Sequence, residues 1–169
     1  MLAPTILLAM YQFDYEKNTQ LLALAAELTP QQWDEPQPVG QRSLHETFFH
    51  IVTVCEEYLS LCQTGQPNWA MRSLDDYPDA ASLLALNDQL YAAYLPYVEQ
   101  LTDQQLSTHV TAVMSHGVTQ SVRVWQLLLH LLYHSAQHRS EAASILTRYD
   151  HSPGFIDFFG FGDWGQSDG

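Results

Sequence analysis

Positive charge is what this chain has least of: six Lys and Arg stand against nineteen Asp and Glu, a net of −13 with histidine neutral. Such a chain repels phosphate backbones and anionic bilayer surfaces, so the expectation is no nucleic-acid and no membrane partner. Cysteine is nearly as scarce, with Cys55 and Cys62 making up the full complement. Seven positions apart on one expected helix, they lie about 10 Å apart along its axis, which is beyond disulfide reach. They read as reduced, mostly core side chains of a cytoplasmic protein, and neither has a cation close in sequence to make it a reactive thiolate. No stretch approaches the roughly 18–20 apolar residues that a bilayer-crossing helix needs. The opening MLAPTILLAMYQF lacks the basic start of a signal peptide.

What is present suits one packed unit. A chain of 169 residues, 46% of them hydrophobic, buries roughly two-thirds of its unfolded surface, and residues 1–169 are expected to form a single domain. Apolar residues on a helical period mark a first helix over Thr5 to Leu28 (Leu8, Tyr11, Tyr15, Leu22, Ala25). Thr29-Pro30 and the Pro36-to-Gly40 cluster then break the chain. A second helix starts at Ser43, where Ser43 and Glu46 form a Ser-x-x-Glu capping box, and runs to about Cys62. Ala80 to Leu101 reads as a third helix in which Pro96 predicts a kink or a late boundary, and Val124 to Tyr149 as a fourth. Before the fourth, β-branched runs either side of Ser115-His116-Gly117 predict a short hairpin carrying His109 and His116. The expected fold is therefore all-α, a four-helix bundle with a short β-hairpin or irregular connection before the last helix. Aromatics crowd the stretch from Phe155 to Trp164, which predicts that it packs onto the bundle or onto a second subunit.

Chemistry concentrates in the fourth helix. His130, His134 and His138 recur at a spacing of four, which stacks them on one face, at about 0°, 40° and 80° around the axis. Gln126, Gln137, Ser140 and Ser144 gather beyond His130, while Leu127, Leu131 and Ile145 project near His138. The stripe therefore begins at the wet edge and ends in the apolar face. Imidazoles in an apolar wall need hydrogen-bond partners or a metal, and a neutral pair one turn apart can chelate one ion. Taken alone, the motif leaves a structural or surface reading open. On the second helix His50 sits on the shoulder of the buried face and supplies a third donor, while His45 projects about 140° away and cannot share its site. Glu57, two turns after His50, reads either as a solvated flank or as an acceptor that orients a ligand imidazole.

These residues carry a resemblance. Leu44-His45-Glu46 followed by His50-Ile51-Val52, the run from His130 through His134 to His138-Arg139, and the closing Pro153-Gly154-Phe155-Ile156-Asp157-Phe158-Phe159 are similar to the patterns of the DinB/YfiT-like metalloprotein superfamily. The likeness covers essentially the whole chain. It implies a four-helix bundle, commonly a homodimer, with a divalent metal, zinc or nickel, on three histidines that fall here on His50, His134 and His138. The family's usual His-His-Arg-Gly-Gln run reads Gln137-His138-Arg139-Ser140-Glu141 in this chain. Related proteins include bacillithiol transferases and mycothiol-dependent maleylpyruvate isomerases, so the resemblance also implies that the metal activates a small-molecule thiol toward an electrophilic substrate. A three-histidine metal with an open fourth position suits that chemistry. Arg139, the one cation beside the site in sequence, is the candidate for binding an anionic thiol cofactor. The expectation is a metal-dependent, thiol-using transferase; a non-catalytic metal-binding or stress protein and a metal-dependent hydrolase are the alternatives.

Overall fold

The computed structural model describes residues 2–38, 42–65, 72–113 and 118–161. Four long helices dominate: α1 (Leu2–Ala25), α3 (Leu44–Thr64), α4 (Ala80–Glu99) and α6 (Val124–Arg148), with the short helices α2 (Pro30–Asp34) and α5 (Asp103–Leu106) in the connections. The main contacts of α1 are with α4 and α6, and α3 touches the same two. Each long helix thus has two long-helix neighbours, and the four close into a bundle around one axis, as expected. The hairpin is present too, with β1 (His109–Val113) antiparallel to β2 (Thr119–Arg123) and His109 opposite Arg123. No loop separates β2 from α6.

Local signals explain the boundaries. The hydroxyl of Ser43 accepts from the Glu46 amide and the Glu46 carboxylate accepts from the Ser43 amide, the reciprocal capping box that starts α3. Gly65 ends that helix in the left-handed region at φ 72°, which glycine adopts without steric cost. Pro96 does not stop α4; the helix continues one turn past it to Glu99. The Thr29-Pro30 break is a helix start instead. Thr29 caps α2 through a box with Gln32, and Pro30 occupies its first turn, where a missing N–H costs nothing. Thr102 and Gln105 repeat the arrangement at α5.

Most of the core falls into two apolar clusters. One joins Leu7 and Tyr11 of α1, Cys55 and Leu59 of α3, Tyr91 and Tyr94 of α4 and Leu128 and Leu131 of α6. The other joins Leu21 and Leu22, Phe48 and Ile51, Leu83, and Ala142 and Leu146, with Trp33 of α2 closing it. Between them runs a polar layer. Asp14 and Asn18 of α1, Ser135 and Arg139 of α6 and the Tyr91 hydroxyl are buried together there. Asp14 is ion-paired to Arg139 and accepts from Tyr91, while Asn18 donates to Asp14 at 3.2 Å and to Ser135 at 3.3 Å. Buried charges survive only when paired in this way. The tail packs in cis in part: Phe158 and Phe161 stand edge-on to Phe13 of α1 at 5.2 and 5.5 Å between ring centroids. Phe155 and Phe159 stay exposed, and Trp164 and His116 lie outside the described residues.

Candidate metal centre

Helices α3 and α6 pack against each other, and the histidine stripe of α6 meets α3 at the level of the polar layer. With the start of α3 fixed at Ser43, Phe48, Ile51, Val52 and Cys55 face the core, and His50 is left half-buried at its margin. On α6 His134 is half-buried and His138 buried. The Nε2 atoms of His50 and His134 are 3.1 Å apart. The three rings stand edge-to-face in a near-equilateral triangle, with centroids 4.8, 4.9 and 4.6 Å apart for the pairs 50–134, 50–138 and 134–138. One donor nitrogen from each falls within 4.8 Å of the others. Two imidazole nitrogens about 2.05 Å from one tetrahedral ion would be about 3.3 Å apart, so the donor set fits a shared metal with little adjustment.

The protonation states also fit. Burial pushes His50 down to about 4, helped by the charge of Arg42 and then by the neighbouring histidines. Burial pushes His134 to about 4 as well, followed by His138, His130 and Arg42. Both rings are therefore neutral at neutral pH, the form a metal requires. His138 Nδ1 lies 2.7 Å from the Glu141 carboxylate, a contact that fixes the ring and leaves Nε2 free of that carboxylate.

Comparison with known proteins gives the family and the fold. The model of the DinB superfamily matches residues 15–142, a span that takes in the second half of α1, all of α3 and α4, most of α6 and all three histidines. The chain belongs to the DinB superfamily. Among solved structures it is similar to a DinB-like protein, YjoA, from Bacillus subtilis, at a TM-score of 0.67 and 15% identity over 86% of this chain and 92% of that one. At that identity the likeness shows the DinB fold. No curated protein matches.

Other residues singled out in the sequence lie elsewhere on the DinB bundle. His130 is exposed, one turn beyond the triangle, with its ring 5.9 Å from those of His134 and Tyr58. His45 is buried in a different bracket, stacked on Trp33, with Nδ1 2.9 Å from Asp34 and Nε2 2.7 Å from the Tyr77 carbonyl. Glu57 does not join the metal-competent group; burial and the neighbouring Glu56 raise its carboxyl. Cys55 and Cys62 are free thiols that burial pushes up to about 12. Arg139, one residue from His138, faces α1: it is buried, ion-paired to Asp14 and 3.1 Å from the Ser135 hydroxyl, with its guanidinium over the Phe13 ring. That guanidinium belongs to the polar layer of the core. The residues that reasoning from sequence missed are Glu141 and Arg42. Glu141 was detectable, because positions i and i+3 meet on a helix; Arg42 reaches the histidines only through the fold of the segment before α3.

Proposed function

We propose that this DinB protein binds one divalent metal ion through His50, His134 and His138 and uses it to activate a small-molecule thiol for transfer to an electrophile. The observation that carries the reading is the triangle of imidazoles, neutral at the two half-buried positions, to which no fourth His, Cys, Asp or Glu donor is added among the described residues. Structural sites are closed by four protein ligands, whereas three ligands and an accessible edge are the pattern of a reactive site. Zinc and nickel both suit imidazole donors.

When bound, such a metal lowers the pKa of a ligated thiol toward neutrality. The protein's own residues do the rest. Glu141 holds the His138 ring in one orientation, and the positive field of Arg42 favours an anionic sulfur over a neutral one. In the transfer the thiol proton leaves to water, the sulfur forms a bond to the electrophilic carbon, and the leaving group departs with its bonding pair. The nucleophile comes from outside the chain, since Cys55 and Cys62 are held as neutral thiols. We assign this activity to the cytoplasm and to a homodimer. The exposed Ile6, Trp125, Tyr133 and Phe158 along α1, α6 and the tail support a self-association face.

Elemental analysis of protein prepared without chelator or a metal-affinity step should find about one divalent ion per chain, falling to background in His134→Ala and unchanged in His130→Gln. The loaded protein should accelerate conjugation of a small thiol to monochlorobimane, with chloride as leaving group, and chelation should abolish the acceleration. Full metal retention in His134→Ala would remove the site. A rate that survives chelation but dies with Cys55→Ser and Cys62→Ser would replace the mechanism, and no rate with any thiol would leave a non-catalytic metal protein.

A further inference from the structure

Six cations serve nineteen carboxylates in this chain, and Arg72 and Arg139 are accordingly spent on Glu56 and Asp14. Arg148, in the last turn of α6, is not. Its guanidinium donates to the side-chain oxygen of Gln37 at 2.7 Å, and among the described residues no carboxylate lies within ion-pair distance of it. Gln37 is itself fixed: it is buried, its side-chain nitrogen donates to the Glu35 carbonyl at 2.8 Å, and its amide donates to the Arg42 carbonyl at 3.3 Å. A neutral amide therefore orients this cation while leaving its charge uncompensated.

Beside it is a cavity of about 480 Å³ between Gln37 and Pro38 on one side and Ser140, Glu141, Ser144 and Arg148 of α6 on the other. Arg148 stands at one end. At the other stands Glu141, whose carboxylate is engaged by His138 at 2.7 Å, so Glu141 links the cavity to the histidine triangle. Positions 141 and 148 are two turns apart on one face, about 10 Å along the axis. A guanidinium presents several N–H donors in a plane matched to a carboxylate, and the hydroxyl of Ser144 adds a neutral partner midway.

We propose that this cavity seats a carboxylate-bearing small molecule of dipeptide to tripeptide length, with its carboxylate on Arg148 and its other end at the histidine triangle. The assignment rests on the proposed function only for what happens at the far end of the ligand; the Arg148 subsite stands on its own geometry.

S-methylglutathione, an acidic tripeptide without a free thiol, separates the two. Calorimetric titration of metal-loaded and metal-free protein should give similar affinities, weakened about tenfold by Arg148→Gln, as befits one charge-assisted hydrogen bond in a solvent-accessible site. Arg148→Lys should recover part of the loss. Ser144→Glu, which sets a carboxylate one turn before Arg148, should weaken binding as much by giving that cation an anion of the chain's own. The fully esterified compound should bind wild type and Arg148→Gln alike. Absent binding, or binding insensitive to Arg148 and Ser144 in protein that retains its metal and its helical circular dichroism, overturns the subsite. Arg148-dependent binding in a chain that takes up no metal keeps the subsite and overturns the proposed function instead.

Discussion

Asp14 and Arg139 form a buried pair, and the energetic asymmetry of such pairs makes Asp14 a sensitive position. Breaking a buried pair strands the surviving charge, at about 3–5 kcal/mol. Burial already pushes Arg139 down to about 10, so Asp14→Ala should destabilise the protein by that amount in urea titrations. A change under about 1 kcal/mol would mean that water reaches the layer. His50 and His134 give a second residue-level test, in metal-free protein. Their imidazoles are held near 4 against 6.5 in the unfolded chain. Between those values the unfolded chain binds protons that the fold does not, so stability is lost as pH falls through 6.5 toward 4. The urea midpoint of chelated protein should drop between pH 7 and pH 5, and less so in a His50→Gln, His134→Gln double variant; equal drops in both would acquit these rings. The thiols are the third case. Cys55 and Cys62, both pushed up to about 12 by burial, should react with iodoacetamide at pH 8 at least tenfold more slowly in native than in denatured protein.

Among the elements, α3 shows how far local sequence determines the site. Its capping box sets the phase of every later residue on the helix, and thereby puts His50 at the margin of the core rather than in it. Ser43 is buried, so Ser43→Ala should cost about 1–2 kcal/mol and lower the melting temperature by about 2–8 °C for a domain of this size; an unchanged melting temperature would mean that packing alone fixes the start of α3. The box was legible because its two residues are three apart in sequence and satisfy each other. The stripe of α6 was legible for the same reason, being set by a period of 3.6, and the hairpin from β-branched runs either side of a Gly-containing turn. Thr29-Pro30 misled because proline punctuates either end of an element, and only the partner at Gln32 reveals which. Arg139 marks where local sequence stops being informative. Adjacency in sequence points at Arg139, yet a step of about 100° turns it to α1. Arg148 lies beyond that limit, since its partner, Gln37, is 111 positions away.

For the whole molecule, the apolar strip along α1, α6 and the tail bears on assembly. Tyr133 is 72% and Phe159 88% exposed, and the proposed homodimer would cover them. Light scattering after size exclusion should give twice the chain mass, and Trp125→Glu with Tyr133→Glu should reduce it to one. A monomeric wild type would remove the homodimer from the reading. The triangle has its own consequence at this scale. His50 and His134 are 84 positions apart, so neither helix, nor any hairpin of neighbouring helices, contains the site. Closing a loop of that length comes after local helix formation, which takes about a microsecond. The centre is thus assembled only after α3 and α6 have formed and met. In refolding mixtures containing cobalt, the d–d absorption of the bound ion should trail the helical circular dichroism, and a growing polypeptide should stay metal-free until its last helix has been made.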